Sequence, residues 1–315
     1  MSRNAPRSID QYLSQLRDAL AGADAALIQD ALYDAEEYLR AEVAAHPDKS
    51  ESDVLELIAS TYGAPEEVAA AYRDTEIKVS AAMATPRRIP RSGAGKMFAV
   101  FLDPRAYTSL FFMFLSLVTG ILYFTFTVVG LSLSAGFSVL IIGIPFFLAF
   151  LAVSRVLSLA EGRLIEAISG ERMPRRPVYR SRSGGFWASV GEMLKDRHTW
   201  STLAYFVLML PLGIIYFVLA VVGFSVGLSL FAVPFLSVGI YSGLFGDPGV
   251  WINPPWLGAW WIAPWIAVLG ALILTGLMHL ARGVGKMHAA FAKALLVAPG
   301  QAAGSESQAV PAAAH

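Results

Sequence analysis

"GILYFTFTVVGLS" at residues 120–132 and "GIIYFVLAVVGFS" at residues 213–225 decide the fold of this chain. Each lies in a tract without Asp, Glu, Lys or Arg, residues 106–154 for the first and 198–246 for the second, and residues 248–281 form a third. A helix crosses the roughly 30 Å hydrocarbon core of a bilayer in about 20 residues, so all three tracts are long enough to span. Leu110–Val129 is dominated by Leu, Ile, Phe and Val, each favouring insertion by roughly 0.3 to 0.6 kcal/mol. The composition agrees: 56% of residues are hydrophobic, 15% are charged and the mean hydropathy is +0.55, too apolar for an ordinary soluble domain. With no cysteine, disulfides, thiolate nucleophiles and thiolate metal sites are excluded.

The two quoted stretches belong to a longer internal repeat. Asp103, Gly120, Tyr123, Gly130 and Ser132 recur as Asp196, Gly213, Tyr216, Gly223 and Ser225 at a constant offset of 93, which also sets Tyr107 against Trp200. The expected membrane domain, residues 103–297, is therefore two tandem copies of one helical hairpin, 103–170 and 196–297. Arg155 of the first matches Arg282 of the second, so the second carries an insertion within 237–262.

"DPRAYTSLFF", "GILYF", "VVGLSLSAG", "IIGIPF" and the returning "SRVLSLAEGRLIEAI" resemble the sensor domain of bacterial multi-pass membrane proteins, some of them histidine kinases. The resemblance covers roughly residues 100–297 and implies a membrane fold rather than a chemistry. No kinase or ATP-binding pattern lies in these 315 residues.

Charge sets the expected topology. Arg87, Arg88, Arg91, Lys96 and Arg105 precede the first span, residues 155–197 hold nine Lys or Arg against five Asp or Glu, and Arg282, Lys286 and Lys293 close the last span. The positive-inside rule places all three groups in the cytoplasm. Met1–Arg7 leads into a charged amphipathic run rather than an apolar core, which also keeps the N-terminus inside. A hydropathy count gives five spans, but five would export the basic C-terminal region, so four are expected. Residues 224–245 then form an outer re-entrant or interfacial element. The location expected is the bacterial inner membrane, with both termini cytoplasmic.

Before the spans, residues 1–79 carry 16 acids and 7 bases. Ile9, Tyr12, Leu13, Leu16 and Leu20 make one helical stripe, and Gly22 interrupts it before Asp24 caps a second helix with Ile28, Leu32, Ala35, Leu39 and Val43 on one face. That helix should end near His46-Pro47. Ser50 with Asp53 opens a third helix burying Val54, Leu57 and Ile58, and Pro65, Glu66 and Glu67 open a fourth that runs through Tyr72. "YLSQLRDALAG" and "YGAPEEVAAAY" resemble the HAAS signalling domain of bacterial membrane proteins. That family is often found beside PadR-type transcriptional regulators, so the resemblance implies a signalling role and such a partner, and it supplies no catalytic residues. Periodicity fades from residue 76, so residues 80–102 read as a basic flexible linker and 298–315 as a disordered tail.

Several residues invite a sharper role. Asp247, Trp251, Asn253, Trp256, Trp260 and Trp261 lie in a Trp- and Pro-rich stretch that also holds Trp265. Tryptophans at a membrane boundary ordinarily anchor the protein, and the alternative is a lid that senses a lipid or amphiphile. The equivalent Tyr123 and Tyr216 either meet across the two hairpins or satisfy separate local polar sites. Gly143, Pro145 and Pro234 are expected to bend their segments, and the pairs Gly223/Gly227 and Gly239/Gly243 allow close helix packing. His198, His279 and His288 lie near charged boundaries, where solvent or lipid is their expected surrounding. Asp30, Asp34 and Glu37 form an acidic face that is either simply solvated or docks on Arg172, Arg175, Arg176, Arg180 and Arg182. The docking alternative would be a reversible electrostatic switch.

The uncharged tracts lack the buried carboxylates and histidine clusters of a transporter core or intramembrane enzyme. The expected protein is a non-enzymatic membrane sensor or signalling scaffold, without metal or cofactor, coupling a membrane or amphiphile signal to the N-terminal module. The alternative is an accessory subunit of a transport complex that the module contacts through residues 8–75. Direct nucleic-acid binding is not expected.

Overall fold

The structure, a computed structural model, describes residues 6–83, 97–139, 142–176, 191, 195–243 and 261–297. These residues contain no strand. Four helices form the N-terminal module: α1 (Ile9–Ala19), α2 (Ala25–Ala45), α3 (Glu51–Thr61) and α4 (Pro65–Met83). A short 3-10 turn at Ala99–Leu102 precedes α5 (Pro104–Phe137), α6 (Gly143–Ser169), α7 (Arg197–Tyr241) and α8 (Ala263–Leu296).

The helix starts of the module follow from side-chain capping of free backbone N–H groups. The side chain of Ser8 accepts from the Gln11 N–H, that of Asp24 from Ala26 and that of Ser50 from Asp53. Helix α2 ends at Ala45 with His46 as its cap, where the sequence placed it. Glu67 Oε2 accepts from the Ala64 N–H at 3.1 Å, half of a reciprocal capping box on α4. Tyr12, Leu13, Leu16 and Leu20 pack on Ala31, Leu32, Ala35 and Leu39, with Val54, Leu55 and Ile58 closing the core. Helix α3 is rotated from the sequence reading: Leu55 is buried, whereas Leu57 is 47% exposed. Residues 54, 55 and 58 lie within about 100° of one another around the helix, and 57 falls outside that arc. Helix α4 also runs past residue 76 to Met83, because Glu76–Met83 keeps good helix formers after its apolar stripe fades.

Among the described residues, four helices are long and apolar enough to cross a membrane, namely α5, α6, α7 and α8. This matches the expected number of spans. The separate element expected at 224–245 is not seen, since α7 is one helix of 45 residues that includes residues 224–241. At 1.5 Å per residue it is about 68 Å long, over twice the bilayer core. Pro211 and Pro234 lie inside it. Each removes one backbone donor, which an otherwise apolar helix of this length tolerates. Gly243, at φ 71°, follows the end of α7 in the left-handed conformation, so it terminates the helix instead of packing against another. Pro145 occupies the first turn of α6, where its missing N–H costs nothing.

The chain divides into two compact units. One comprises residues 1–86, 137–203 and 291–315, the other 87–136 and 204–290. Helices α7 and α8 contribute residues to both.

In the second unit, small residues let backbones approach closely, the usual basis of helix association in lipid. A Cβ on Gly120 would stand 2.6 Å from the Met209 carbonyl oxygen, and one on Gly213 would collide with the Ser116 carbonyl. Gly223 and Gly227 instead receive Leu277 and Leu274 of α8. Val100 of the 3-10 turn is buried with Ala106 and Met278.

Candidate module-binding segment and a buried histidine among aromatic rings

In the first unit, α6 ends at Ser169 and Gly170 turns the chain through a left-handed cap at φ 71°. The segment that follows is anchored by Met173, which is fully buried against Gly162 of α6. Around it the structure brings together charges from both sides. The backbone N–H groups of Arg175 and Arg176 both donate to Asp30 Oδ1, at 2.8 and 2.9 Å, while Arg172 Nη2 donates to Asp30 Oδ2 at 3.0 Å. Arg172 Nη1 pairs with Glu76. Arg176 Nε lies 2.8 Å from Asp34 Oδ1, its guanidinium sits 5.7 Å from the Tyr33 ring centroid, and its carbonyl accepts from Gln29 Nε2 at 2.6 Å.

Gln29, Asp30, Tyr33 and Asp34 make this contact because spacings of three and four residues share a helix face. Tyr72 of α4 donates to Asp34 Oδ2 at 3.0 Å and fixes that carboxylate. Arg175 turns its side chain the other way, to Glu166 Oε1 at 2.7 Å. Lys293 near the end of α8 pairs with Asp24, the cap of α2. Asp30 is only 4% exposed. Burial, the largest influence, pushes its carboxyl above the usual range, and the hydrogen bonds from Arg175, Arg172 and Arg176 oppose that shift. Removing one partner of such a desolvated set typically costs about 3 to 5 kcal/mol, although the whole set need not stabilise the fold.

Of the other residues proposed for this face, Glu37 is exposed, and Arg180 and Arg182 lie outside the described residues. Gln29, Tyr33 and Glu76 were missed from sequence. Gln29 and Tyr33 flank the acids on α2, so the helical spacing that paired Asp30 with Asp34 also marks them.

The second unit holds a different constellation. His288 is 1% exposed, and its Nε2 lies 3.0 Å from the Tyr205 hydroxyl. Phe112 packs on the imidazole with ring centroids 4.7 Å apart, and Tyr216 stands edge-on at 5.7 Å. Tyr123 instead stacks on Phe206 at 4.7 Å. The boundary environment expected for His288 is thus overturned. His288 lies on a stripe of buried α8 residues, Leu277, Ala281, Val284 and Ala292, whose spacing was available in sequence. Glu161 of α6 is also fully buried, so the described membrane helices do contain buried ionisable groups. His279 Nε2 lies 2.9 Å from the Met97 carbonyl, and His198 Nε2 at the same distance from that of Leu296.

Among the proposed sensing residues, Trp261 is described and 58% exposed, and neighbouring Trp265 is 72% exposed. Asp247, Trp251, Asn253, Trp256 and Trp260 lie outside the described residues.

A family model described as Putative sensor matches residues 112–296, more than half of the chain. No curated protein and no solved structure matches the chain.

Proposed function

We propose that this chain, which belongs to the Putative sensor family, is a multi-pass membrane sensor that signals by holding or releasing its N-terminal helical module. The observation carrying this reading is the grip on Asp30 by the Arg175 and Arg176 N–H groups and the Arg172 guanidinium. That grip joins the module to a segment beginning only a few residues beyond a helix long and apolar enough to cross the bilayer.

In this reading α1–α4 form a cytoplasmic HAAS-like domain, and both termini face the cytoplasm of a bacterial inner membrane. The two hairpins are copies of one unit. The reciprocal contacts of Gly120 with Met209 and Gly213 with Ser116 support duplication, since each residue and its counterpart differ by 93 positions. The Trp-rich stretch contributes the membrane or amphiphile signal, and a PadR-type regulator is the partner class expected for the released module. The role is non-enzymatic, and family membership is what supports that.

Spin labels at Glu37→Cys and Glu171→Cys, with the full chain in lipid nanodiscs, test the reading. Two distances whose proportions change across a panel of lipids and amphiphiles are expected, together with a shift to the longer one in Asp30→Asn. A single distance, unchanged by every lipid and by the substitution, would overturn it. Co-purification with a permease or ATPase instead of a regulator would favour an accessory transport subunit.

A further inference from the structure

We propose that the Arg172–Arg176 segment is a phosphate-binding site whose place is taken here by the module's own carboxylates. The proposal rests on the releasable contact proposed above and names what competes for it. An ion pair between side chains needs only guanidinium and carboxylate. Here two consecutive backbone N–H groups, those of Arg175 and Arg176, converge on one oxygen, Asp30 Oδ1. Successive N–H groups aimed at one point make an anion-binding concavity of the kind that cradles phosphate oxygens. Arg172 completes it, with Nη2 on Asp30 Oδ2 and Nη1 on Glu76.

Three carboxylate oxygens from two residues therefore surround one guanidinium and one pair of amides. A phosphodiester or phosphomonoester presents a comparable set of non-bridging oxygens from a single group, and planar Arg forks recognise phosphate bidentately. Arg176 supplies a second guanidinium once Asp34 leaves, whereas Arg175 remains neutralised by Glu166 on its own side. Met173, fully buried against Gly162, ties the segment to α6 as well as to the module. Asp30 competes well because it belongs to the same chain and so acts at a high effective concentration. Lipid headgroups at the end of α6 and soluble phosphate are two sources of the same chemistry.

The test uses the full chain with labels at Glu37→Cys and Glu171→Cys, in discs of phosphatidylcholine, of phosphatidylcholine with phosphatidylglycerol, and of phosphatidylcholine with inorganic phosphate against chloride at equal ionic strength. The distance reports release, and the bound phosphorus reports the site. In Asp30→Asn/Glu76→Gln the distance should lengthen, and phosphatidylglycerol or inorganic phosphate should bind about tenfold more tightly than to the parent chain. Adding Arg172→Gln and Arg176→Gln should abolish that gain, whereas adding Arg105→Gln and Lys195→Gln should not. A gain in the phosphatidylglycerol arm identifies a lipid headgroup, and one in the phosphate arm a soluble anion. A lengthened distance with no gain in either arm, or a gain equally lost in the Arg105/Lys195 control, overturns the site alone. A distance that stays short overturns the releasable contact and the site with it.

Discussion

A Cβ placed on Gly120 would stand 2.6 Å from the carbonyl oxygen of Met209, closer than real side chains come to a backbone. Gly213 stands in the reciprocal relation to Ser116, so the pair of contacts has the form of an isologous interface built within one chain. Neither helix can yield cheaply, because the obstructing atoms are backbone. Gly120→Ala and Gly213→Ala should each destabilise the protein by about 1 to 3 kcal/mol. Gly276→Ala supplies the control, since no atom lies within 4 Å of its added Cβ. It should be neutral or stabilising by up to about 1 kcal/mol, as expected for replacing glycine inside a helix. Thermal unfolding in detergent ranks the three, and equal stability of all three would remove close packing as the reason for the two glycines.

Asp24 has two separable jobs, capping α2 through the Ala26 N–H at 2.9 Å and pairing with Lys293. Asp24→Asn keeps a capping oxygen and loses the charge, so it should cost only the ion pair, about 0.2 to 1 kcal/mol at a partly exposed site. Asp24→Ala should add the loss of the cap, typically about 1 kcal/mol more. Chemical denaturation of the full chain in micelles measures the difference. If the two substitutions cost the same, the cap contributes nothing.

The elements legible in the sequence were those fixed by local rules. Ser50 and Asp24 announced helix starts, the uncharged tracts announced the long helices, and the spacing of Gly223 and Gly227 announced the close approach that Leu277 and Leu274 make there, whereas the tighter backbone crossing at Gly120 and Gly213 was not read from their repeat. What failed depended on tertiary context. Leu57 and Leu55 are equally apolar, and only the rotation of α3 against α2 decides which is buried. Residues 224–241 were detached from the preceding span by counting charges, whereas backbone hydrogen bonding carries α7 through Pro234 to Tyr241. His288 was assigned by its charged neighbours, Lys286 and Lys293, when its helical stripe was the better guide. For Asp30, side-chain charge suggested arginines as partners, but nothing in residue types signals that two of its three donors are backbone amides.

Burial gives Asp30 an unusual pH dependence. Its carboxyl is raised above the usual range chiefly by desolvation, so the folded chain holds this proton more tightly than the unfolded chain, where the pKa is about 3.9. The associated stability is therefore present in full below about pH 4 and lost as pH rises through the raised value. Comparison of wild type with Asp30→Asn cancels the other carboxylates. Wild type should lose stability relative to the variant as pH climbs through that window, measured by unfolding midpoints. The opposite slope would mean that the hydrogen bonds from Arg172, Arg175 and Arg176 outweigh desolvation.

Helices α5–α8 are each long and apolar enough to cross the bilayer, and four crossings would return the chain to the side on which it started, so the regions before α5 and after α8 should share one face of the membrane. Cys at Ala94 and at Ser305 should both be shielded from an impermeant thiol reagent in intact cells and both react after permeabilisation. Labelling of Ser305→Cys from outside, with Ala94→Cys protected, would require an odd number of crossings. The 45-residue α7 would then be the first place to look for an additional traverse.

Salt should separate the two kinds of contact that hold the module. Arg176 and Asp34 have side chains 49% and 32% exposed, so their attraction is worth about 0.2 to 1 kcal/mol and is open to screening. Arg172 and Asp30 are 14% and 6% exposed, and the backbone donors to Asp30 carry no net charge, so little screening reaches them. Between about 0.1 M and 1 M salt the Debye length falls from about 10 Å to about 3 Å. The Glu37→Cys/Glu171→Cys distance should then lengthen in only a minor fraction of wild-type molecules across that range. Arg176→Asp should behave at low salt much as wild type does at high salt, and Asp34→Arg/Arg176→Asp should recover the short distance by restoring opposite charges. In Asp30→Asn the Arg176–Asp34, Arg172–Glu76 and Lys293–Asp24 pairs and the Gln29 hydrogen bond are left to hold the module, so there the same salt increase should release a larger fraction than in wild type. Complete release of wild type by 1 M salt would show that surface charge pairs carry the contact and that the buried grip on Asp30 does not.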